Sequence, residues 1–333
     1  NQRKKTPLQS YFVQGGCWNS DNFLLAKDTG SAAGICQCCH KRIGRHTNED
    51  GQRLCDNCYR DGNLGKVLAN ANYLAFCKDE NIPEKYKTFQ LYDKYQELVL
   101  REPPSPDLPA YLVYKLNETT LEDIPKHPAQ LKFMANYIPL ADEDSSQDCP
   151  GCSESQCPAP LEPLYFDCLA NQAKGRKLLG YLKADVDNLG SLFVYGLREE
   201  TRDRNSISRL ATMSRMLDLF FSGRIEQLLN TTFNRCYTVY SGGDDLLIIG
   251  PWDEIVSLAH TINDEFNRFT NQNPNISLSA GIGLAKPRMP LSRSVSVADE
   301  ALEESKEKVL HGEQEGRNQV TFLGSTMKWE KFN

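Results

Sequence analysis

The sequence predicts an α+β fold, a ferredoxin-like palm (βαββαβ) preceded by a small helical zinc-binding domain. Three observations carry that expectation. Two runs rich in β-formers flank Ser241-Gly242-Gly243-Asp244-Asp245, as in a hairpin with glycines at its turn. A second β-rich run, residues 178–187, also ends in carboxylates, at Asp185 and Asp187. Two Cys-x-x-Cys pairs, Cys36/Cys39 and Cys55/Cys58, lie ahead of both.

Composition bounds the rest. At 333 residues the chain holds two domains or three small ones. Its net charge of −6 gives no global electrostatic attraction to nucleic acid, so any such contact needs a local patch or another subunit. No apolar run approaches the length of a membrane span, and no signal peptide is visible; the expected partners exclude a membrane. Twelve cysteines, several of them in Cys-x-x-Cys pairs, point to metal binding in a reducing cytoplasm rather than to a disulfide framework. The chain opens on Asn1-Gln2 with no methionine, which reads as a fragment.

Residues 1–35, with the basic cluster Arg3-Lys4-Lys5, form an N-terminal segment without a usable motif. Residues 36–110 are expected to be the zinc-binding helical domain. Fifteen residues separate Cys39 from Cys55, a spacing that suits a closed four-thiolate site of structural type, and Cys38 is an alternative to Cys39. His40 and His46 are near but unnecessary for a full shell. Residues 65–76 and 83–100 read as helical; in the second, Tyr86, Phe89, Tyr92, Tyr95 and Leu98 recur at three-residue steps, as a core stripe would. The Pro-rich run 103–109 is a stiff connector, and 111–116 a short strand. Residues 111–173 form a connecting region with a second cysteine group, Cys149, Cys152, Cys157 and Cys168, for which a second zinc and metal-free loop thiols are both open.

From 174 to 325 the palm unfolds in order. A strand (178–187) precedes a helix (206–229), in which Leu210, Met213, Leu217, Phe220, Phe221, Ile225 and Leu228 keep a helical period. The hairpin (236–250) comes next, followed by an amphipathic helix (253–270). Residues 276–285 alternate strictly, with Ile276, Leu278, Ala280, Ile282 and Leu284 on one face and only serine and glycine on the other, a bare face that lets a neighbour come close. A helix (292–309) and a strand (319–323) close the unit, and 326–333 is a tail.

Strand alternation puts Asp185 and Asp187 on one face, opposite Val186. In this layout the first strand sits centrally beside the hairpin, bringing Asp185 and Asp187 close to Asp244 and Asp245. Concentrated carboxylates favour a hard divalent cation, magnesium or manganese, over a free acidic turn. One or two such ions at a palm can activate an oxygen for in-line attack on phosphorus.

These residues resemble a known family. Tyr240-Ser-Gly-Gly-Asp-Asp245 is similar to the Gly-Gly-Asp-Asp signature in the large subunit of type III CRISPR effector complexes. Ala184-Asp-Val-Asp-Asn-Leu-Gly190 resembles that family's first palm strand. Ser206-Ile-Ser-Arg209 with Leu217-Asp-Leu-Phe-Phe-Ser-Gly223 resembles its intervening helix in the III-A form. Ala298 to Lys306, with Gly316-Arg-Asn318, resembles the end of the more distant diguanylate cyclase domains. The resemblance spans residues 30–325. It implies polymerisation of ATP into cyclic oligoadenylate second messengers when the complex binds target RNA, in antiviral defence. The implied partners are the other subunits, CRISPR RNA, target RNA and ATP. Asp185 and Asp244 would be the main ligands of magnesium or manganese, with Asp187 and Asp245 assisting. Val186, Asn188, Leu189, Gly190, Phe193, Ser241, Gly242 and Gly243 would line the nucleotide, and Lys306 would meet the triphosphate.

Departures from the family pattern also matter. No His-Asp pair occurs, so no DNA cleavage is expected of this chain. The opposing palm and the C-terminal helical domain of the family are not represented, which favours a fragment. Two alternatives stand: a GTP-using diguanylate cyclase-like enzyme, and an inactive palm that scaffolds a ribonucleoprotein. Against the first, Leu246 follows the acidic pair where that family has phenylalanine. Against the second, a scaffold needs none of the four carboxylates or Lys306.

Overall fold

The structure, a computed structural model, describes residues 34–48, 51–78, 82–83, 86, 88–92, 95–118, 130–141, 157–196, 198–199, 202–203, 206–313 and 316–332. The N-terminal basic cluster and the cysteines at 149 and 152 lie outside them. The chain forms two compact units, one ending at Val67 and the other starting at Leu68.

In the first unit, β1 (His46–Thr47) and β2 (Arg53–Leu54) make a short antiparallel hairpin, and α1 (Asp56–Leu68) follows. No residue of α1 is buried, so propensity and burial do little to hold it. Among the described residues of this unit, Cys36, Leu54 and Cys55 are buried. A core that small needs a staple, which is what a metal bound by thiolates supplies.

The second unit begins with a five-stranded sheet, and here the expectation of helices over 65–76 and 83–100 is corrected. The strands are β3 (Tyr73–Lys78), β4 (Thr88–Tyr92), β5 (Tyr95–Leu100), β6 (Ala110–Leu116) and β7 (Gln130–Lys132), in the order β4-β5-β3-β6-β7. The three-residue recurrence of aromatics comes from two strands of one hairpin, with Tyr92 opposite Tyr95, not from a helix face. Ala75, Cys77 and Leu98 form the buried centre of this sheet. Because β6 pairs with β3, the division expected at 110/111 runs through a single sheet.

The palm follows. α2 (Phe166–Asn171) leads into β8 (Leu179–Val186) and α3 (Leu189–Tyr195). A minimal hairpin, β9 (Arg198–Glu199) with β10 (Arg202–Asp203), precedes α4 (Ile207–Leu219), which Ser206 caps by accepting from the Arg209 N–H. The helix read as continuous over 206–229 is interrupted. Phe220–Arg224 is a π-helical turn, and α5 (Ile225–Thr231) resumes the α-helix. Then come β11 (Tyr237–Gly242), β12 (Asp245–Pro251), α6 (Trp252–Phe269), β13 (Leu278–Ala285), α7 (Leu291–Glu307), β14 (Gln319–Phe322) and β15 (Ser325–Lys328). The sheet order is β11-β12-β8-β13-β14-β15, so β8 is central between the hairpin and β13.

Parity along the strands divides the palm. Leu182, Ala184, Val186, Leu246, Ile248, Ala280 and Ile282 join Ile255, Leu258, Ile262 and Phe266 of α6 in the main core. The bare face of β13 meets α7: a Cβ on Gly283 would lie 3.0 Å from the Ala298 nitrogen, and one on Gly281 would collide with the α7 backbone at Ala298 and Leu302. The stretch expected to be a tail belongs to the sheet. β15 pairs with β14, and Trp329 is buried in the core with its indole N–H donating to the Leu278 carbonyl at 2.8 Å.

Candidate active site and metal centre

The thiol group comes first. Cys36, Cys39, Cys55 and Cys58 place their sulfurs within 4.8 Å of one another, with Cys39 and Cys55 3.8 Å apart. A tetrahedron of Zn–S bonds of about 2.3 Å sets sulfurs about 3.8 Å apart, so the donor set fits zinc. Cys38 is exposed and outside the group, which decides between it and Cys39. His46 hydrogen-bonds Asp56 at 2.8 Å and stacks on Tyr59. Burial resists ionisation of Cys36, but backbone N–H donors from Cys39, Cys55 and Cys38 outweigh it and bring its thiol down to about 6. The neighbouring Cys55 side chain, with burial, pushes Cys58 up. A set in which some thiols ionise readily and others resist is one that a cation would level. Of the second cysteine group, Cys168 is buried in α2 and Cys157 is half-buried.

The palm carboxylates meet at the hairpin turn. Gly243 takes φ +69° with open space around it, and Gly242 pairs with Asp245 across a two-residue turn. A first turn residue with positive φ is what glycine supplies without strain. Asp245 stands directly opposite Asp185 on β8, and the Val186 N–H donates to the Asp244 carbonyl at 3.0 Å. Burial, then the charges of Asp185 and Asp245, raise the Asp244 carboxyl above its ordinary range, with Lys306 opposing. Burial and Asp185 likewise raise Asp245, while Tyr240, Lys183 and Lys306 oppose. Like charges held this close favour a proton or a cation. Among the described residues only the four cysteines are already spaced to hold a metal ion, whereas Asp185, Asp244 and Asp245 are near enough for their charges to act on one another, a chemistry that a hard divalent ion suits.

Lys306 on α7 forms an ion pair with Asp185, and Lys183 one with Asp299. Lys183 and Tyr240 are residues that sequence reasoning missed. Period-two alternation from Asp185 could have found Lys183. Tyr240 was hidden because a β-bulge between Thr238 and Tyr240 shifts the register and sets Tyr240 opposite Leu247. Asp218, whose carboxylate accepts from the Ser222 hydroxyl at 3.1 Å, also faces Gly242.

Other expected site residues are placed differently. Asp187, expected as an assisting catalytic carboxylate, is only 4% exposed, and its oxygens accept from Ser277, Ser279 and the Asn318 N–H. The Ser241 hydroxyl donates to the Phe221 carbonyl at 2.6 Å, tying the hairpin to the π-turn. Val186 is in the core, and Leu189 and Phe193 pack against it. Asn188 and Gly190 are exposed at the start of α3. A polar cavity of about 960 Å³ lies away from the carboxylates, lined by Asn72, Arg101, Asn117, Tyr137, Glu226 and Arg235 among others.

The Cas10/Cmr2 second palm domain matches residues 178–321, from the start of β8 into β14. Over these residues the chain is similar to the Cas10/Csm1 family. A subtype III-A Cas10/Csm1 of Methanocaldococcus jannaschii, named as a CRISPR-system single-strand-specific deoxyribonuclease, is 38% identical over 186 residues, 50% of this chain and 23% of that protein. The Enterococcus italicus protein of the same name is 41% identical over 126 residues, 38% of this chain and 16% of that protein. This chain therefore spans less than a quarter of the length of these curated relatives. A Csm1 solved in a Csm1-Csm4 cassette with AMPPNP superposes with a TM-score of 0.59 at 25% identity, covering 82% of this chain and 36% of that one. The likeness thus reaches well beyond the Cas10 palm itself. No helix among the described residues is long and apolar enough to cross a membrane.

Proposed function

We propose that this Cas10-type palm is the nucleotidyltransferase half of a type III-A CRISPR effector subunit, joining ATP into cyclic oligoadenylate when the assembled complex binds target RNA. The observation that carries the reading is the convergence of Asp185, Asp244 and Asp245 at one glycine turn. Bound magnesium or manganese would lower the pKa of a ribose 3′-hydroxyl and offset charge gathering on the α-phosphate. Asp185 and Asp244 are the main ligands in this reading, and Asp245, steadied by Tyr240, assists.

The chain's own groups do the remaining work. The open space at Gly243, and the absence of a side chain at Gly242, let a nucleotide come against the turn. Lys306 pairs with Asp185 here; once a cation holds that carboxylate, its ammonium can meet a triphosphate. Asn188 and Gly190 are exposed just after β8. Catalysis is then chiefly positioning and electrostatics. We assign zinc to the four-thiolate group in a structural role, and the other Csm subunits, CRISPR RNA and target RNA as partners in the cytoplasm. ATP and GTP are each supplied with magnesium or manganese, with and without the assembled complex and target RNA, and products are read by mass spectrometry. Oligoadenylate that depends on target RNA supports the reading; a cyclic dinucleotide from GTP, or no product in the full complex, contradicts it.

A further inference from the structure

Asp187 is a buried carboxylate that the site at Asp185, Asp244 and Asp245 leaves unused. It follows β8 directly, and its N–H donates to the Ser277 carbonyl at 2.9 Å. Oδ2 accepts from the Ser277 hydroxyl at 2.7 Å and the Asn318 N–H at 3.0 Å; Oδ1 accepts from the Ser279 hydroxyl at 2.7 Å. Three donors fill three of the carboxylate's four lone-pair sites, and the one left, on Oδ1, belongs to a side chain buried away from solvent.

The three donors come from separate parts of the palm. Ser277 precedes β13, Ser279 lies in β13, and Asn318 precedes β14. On either side of the junction the backbone is strained. Asn188 (φ 55°), Arg317 (φ 80°) and Asn318 (φ 49°) are all left-handed without being glycine. The Arg317 guanidinium also donates to the Asn188 side chain. Such conformations persist only where surrounding contacts over-determine them. The same loop grips the end of α7 beside Lys306: the Arg317 N–H donates to the Ser305 carbonyl at 3.1 Å, and the Gln319 amide donates to Ser305 and Lys308 carbonyls at 2.7 Å each.

We propose that Asp187 is a positioning residue, not a cation ligand: it ties the end of β8, the start of β13 and the 317–318 loop into one junction. That junction fixes the strained Asn188 turn three residues from Asp185 and the helix end that presents Lys306. The contrast with Asp185 rests on the reading of Asp185, Asp244 and Asp245 as cation ligands.

The test compares Asp187→Asn with Asp185→Asn in this chain, by Mn2+ titration with electron paramagnetic resonance, ATP titration, and amide hydrogen exchange. Asp187→Asn is expected to keep Mn2+ affinity within about twofold, while Asp185→Asn weakens it about tenfold or more. In Asp187→Asn, exchange at Asn318 and Asn188 rises about tenfold while Leu182 in the core of β8 keeps its protection, and ATP binds about tenfold more weakly. Loss of Mn2+ affinity equal to that of Asp185→Asn overturns the proposal, as does unchanged exchange at Asn318 or unchanged ATP affinity. If Asp185→Asn also leaves Mn2+ binding intact, or the parent chain binds no ATP, the cation-site reading fails. The exchange at Asn318 still decides the role of Asp187. Should Asp187→Asn not fold, Ser277→Ala with Ser279→Ala leaves the carboxylate in place and is expected to speed the same amides without weakening Mn2+; protected amides there overturn the proposal.

Discussion

Asp185 and Asp245 stand directly opposite each other on adjacent antiparallel strands, β8 and β12, and Asp244 follows Gly243 at the turn beside them. Like charges directly across a ladder destabilise a sheet unless something offsets them. Asparagine at Asp245 is therefore expected to raise the melting temperature of the cation-free chain and to shrink the stabilisation that added Mn2+ gives. Thermal melts with and without Mn2+ check both; a variant stabilised by Mn2+ as much as the parent removes Asp245 from the site.

The thiol group gives a second outcome. Cys39→Ser is expected to lower the zinc content by one ion per chain and to unfold the unit ending at Val67, since its buried cluster among the described residues is Cys36, Leu54 and Cys55. Cys38→Ser is expected to change neither, because Cys38 is exposed and apart. Elemental analysis with exchange over residues 34–67 reads both.

Glycines at two places should respond differently. Gly281→Ala drives a methyl into the α7 backbone, an overpacking that costs about 1–3 kcal/mol or more. Gly243→Ala meets open space but must hold φ +69°, a strain of about 1 kcal/mol. Denaturant midpoints are expected to fall further for the first than for the second.

How much of this was legible in the sequence follows from the range of the forces involved. The alternation at 276–285 and the glycine turn are local patterns, and both were readable, down to the bare face that admits α7. The strands at 73–100 were not, because their identity depends on partners such as β6 that no short window contains. Phe89 and Leu98, which fell on one apparent helix stripe, are buried from neighbouring strands. The π-turn at Phe220–Arg224 was hidden for a similar reason: Ser241, twenty-one positions on from Phe220, holds its carbonyl at Phe221. Asp187 carried the same sequence signal as Asp185, and its bonds to Ser277, Ser279 and the Asn318 N–H are what set it apart.

Glu226 supplies a pH dependence. This α5 carboxylate is buried beneath the 133–138 segment, and its oxygens accept from the Tyr137 N–H at 3.0 Å and the Asn117 amide at 3.2 Å. Burial pushes its carboxyl up from 4.5 to about 7, against the donors at Tyr137 and Asn136. A raised carboxylate keeps its proton in the folded state after the unfolded chain has lost it. Its stabilising contribution is thus present below 4.5 and lost as pH rises to about 7. The loss is on the order of 3 kcal/mol. Glu226→Gln, which is never charged, is expected to flatten that part of the stability profile in urea titrations run across the window; an unchanged slope would place the proton elsewhere.

The most direct test of the carboxylate site is oligoadenylate yield from the assembled complex carrying Asp244→Ala with Asp245→Ala, measured by mass spectrometry with ATP, Mn2+ and target RNA. Yield at least about a hundredfold below the parent complex, with assembly and target RNA binding intact, is the expected result. Yield equal to the parent would contradict the account and move the chemistry away from the glycine turn.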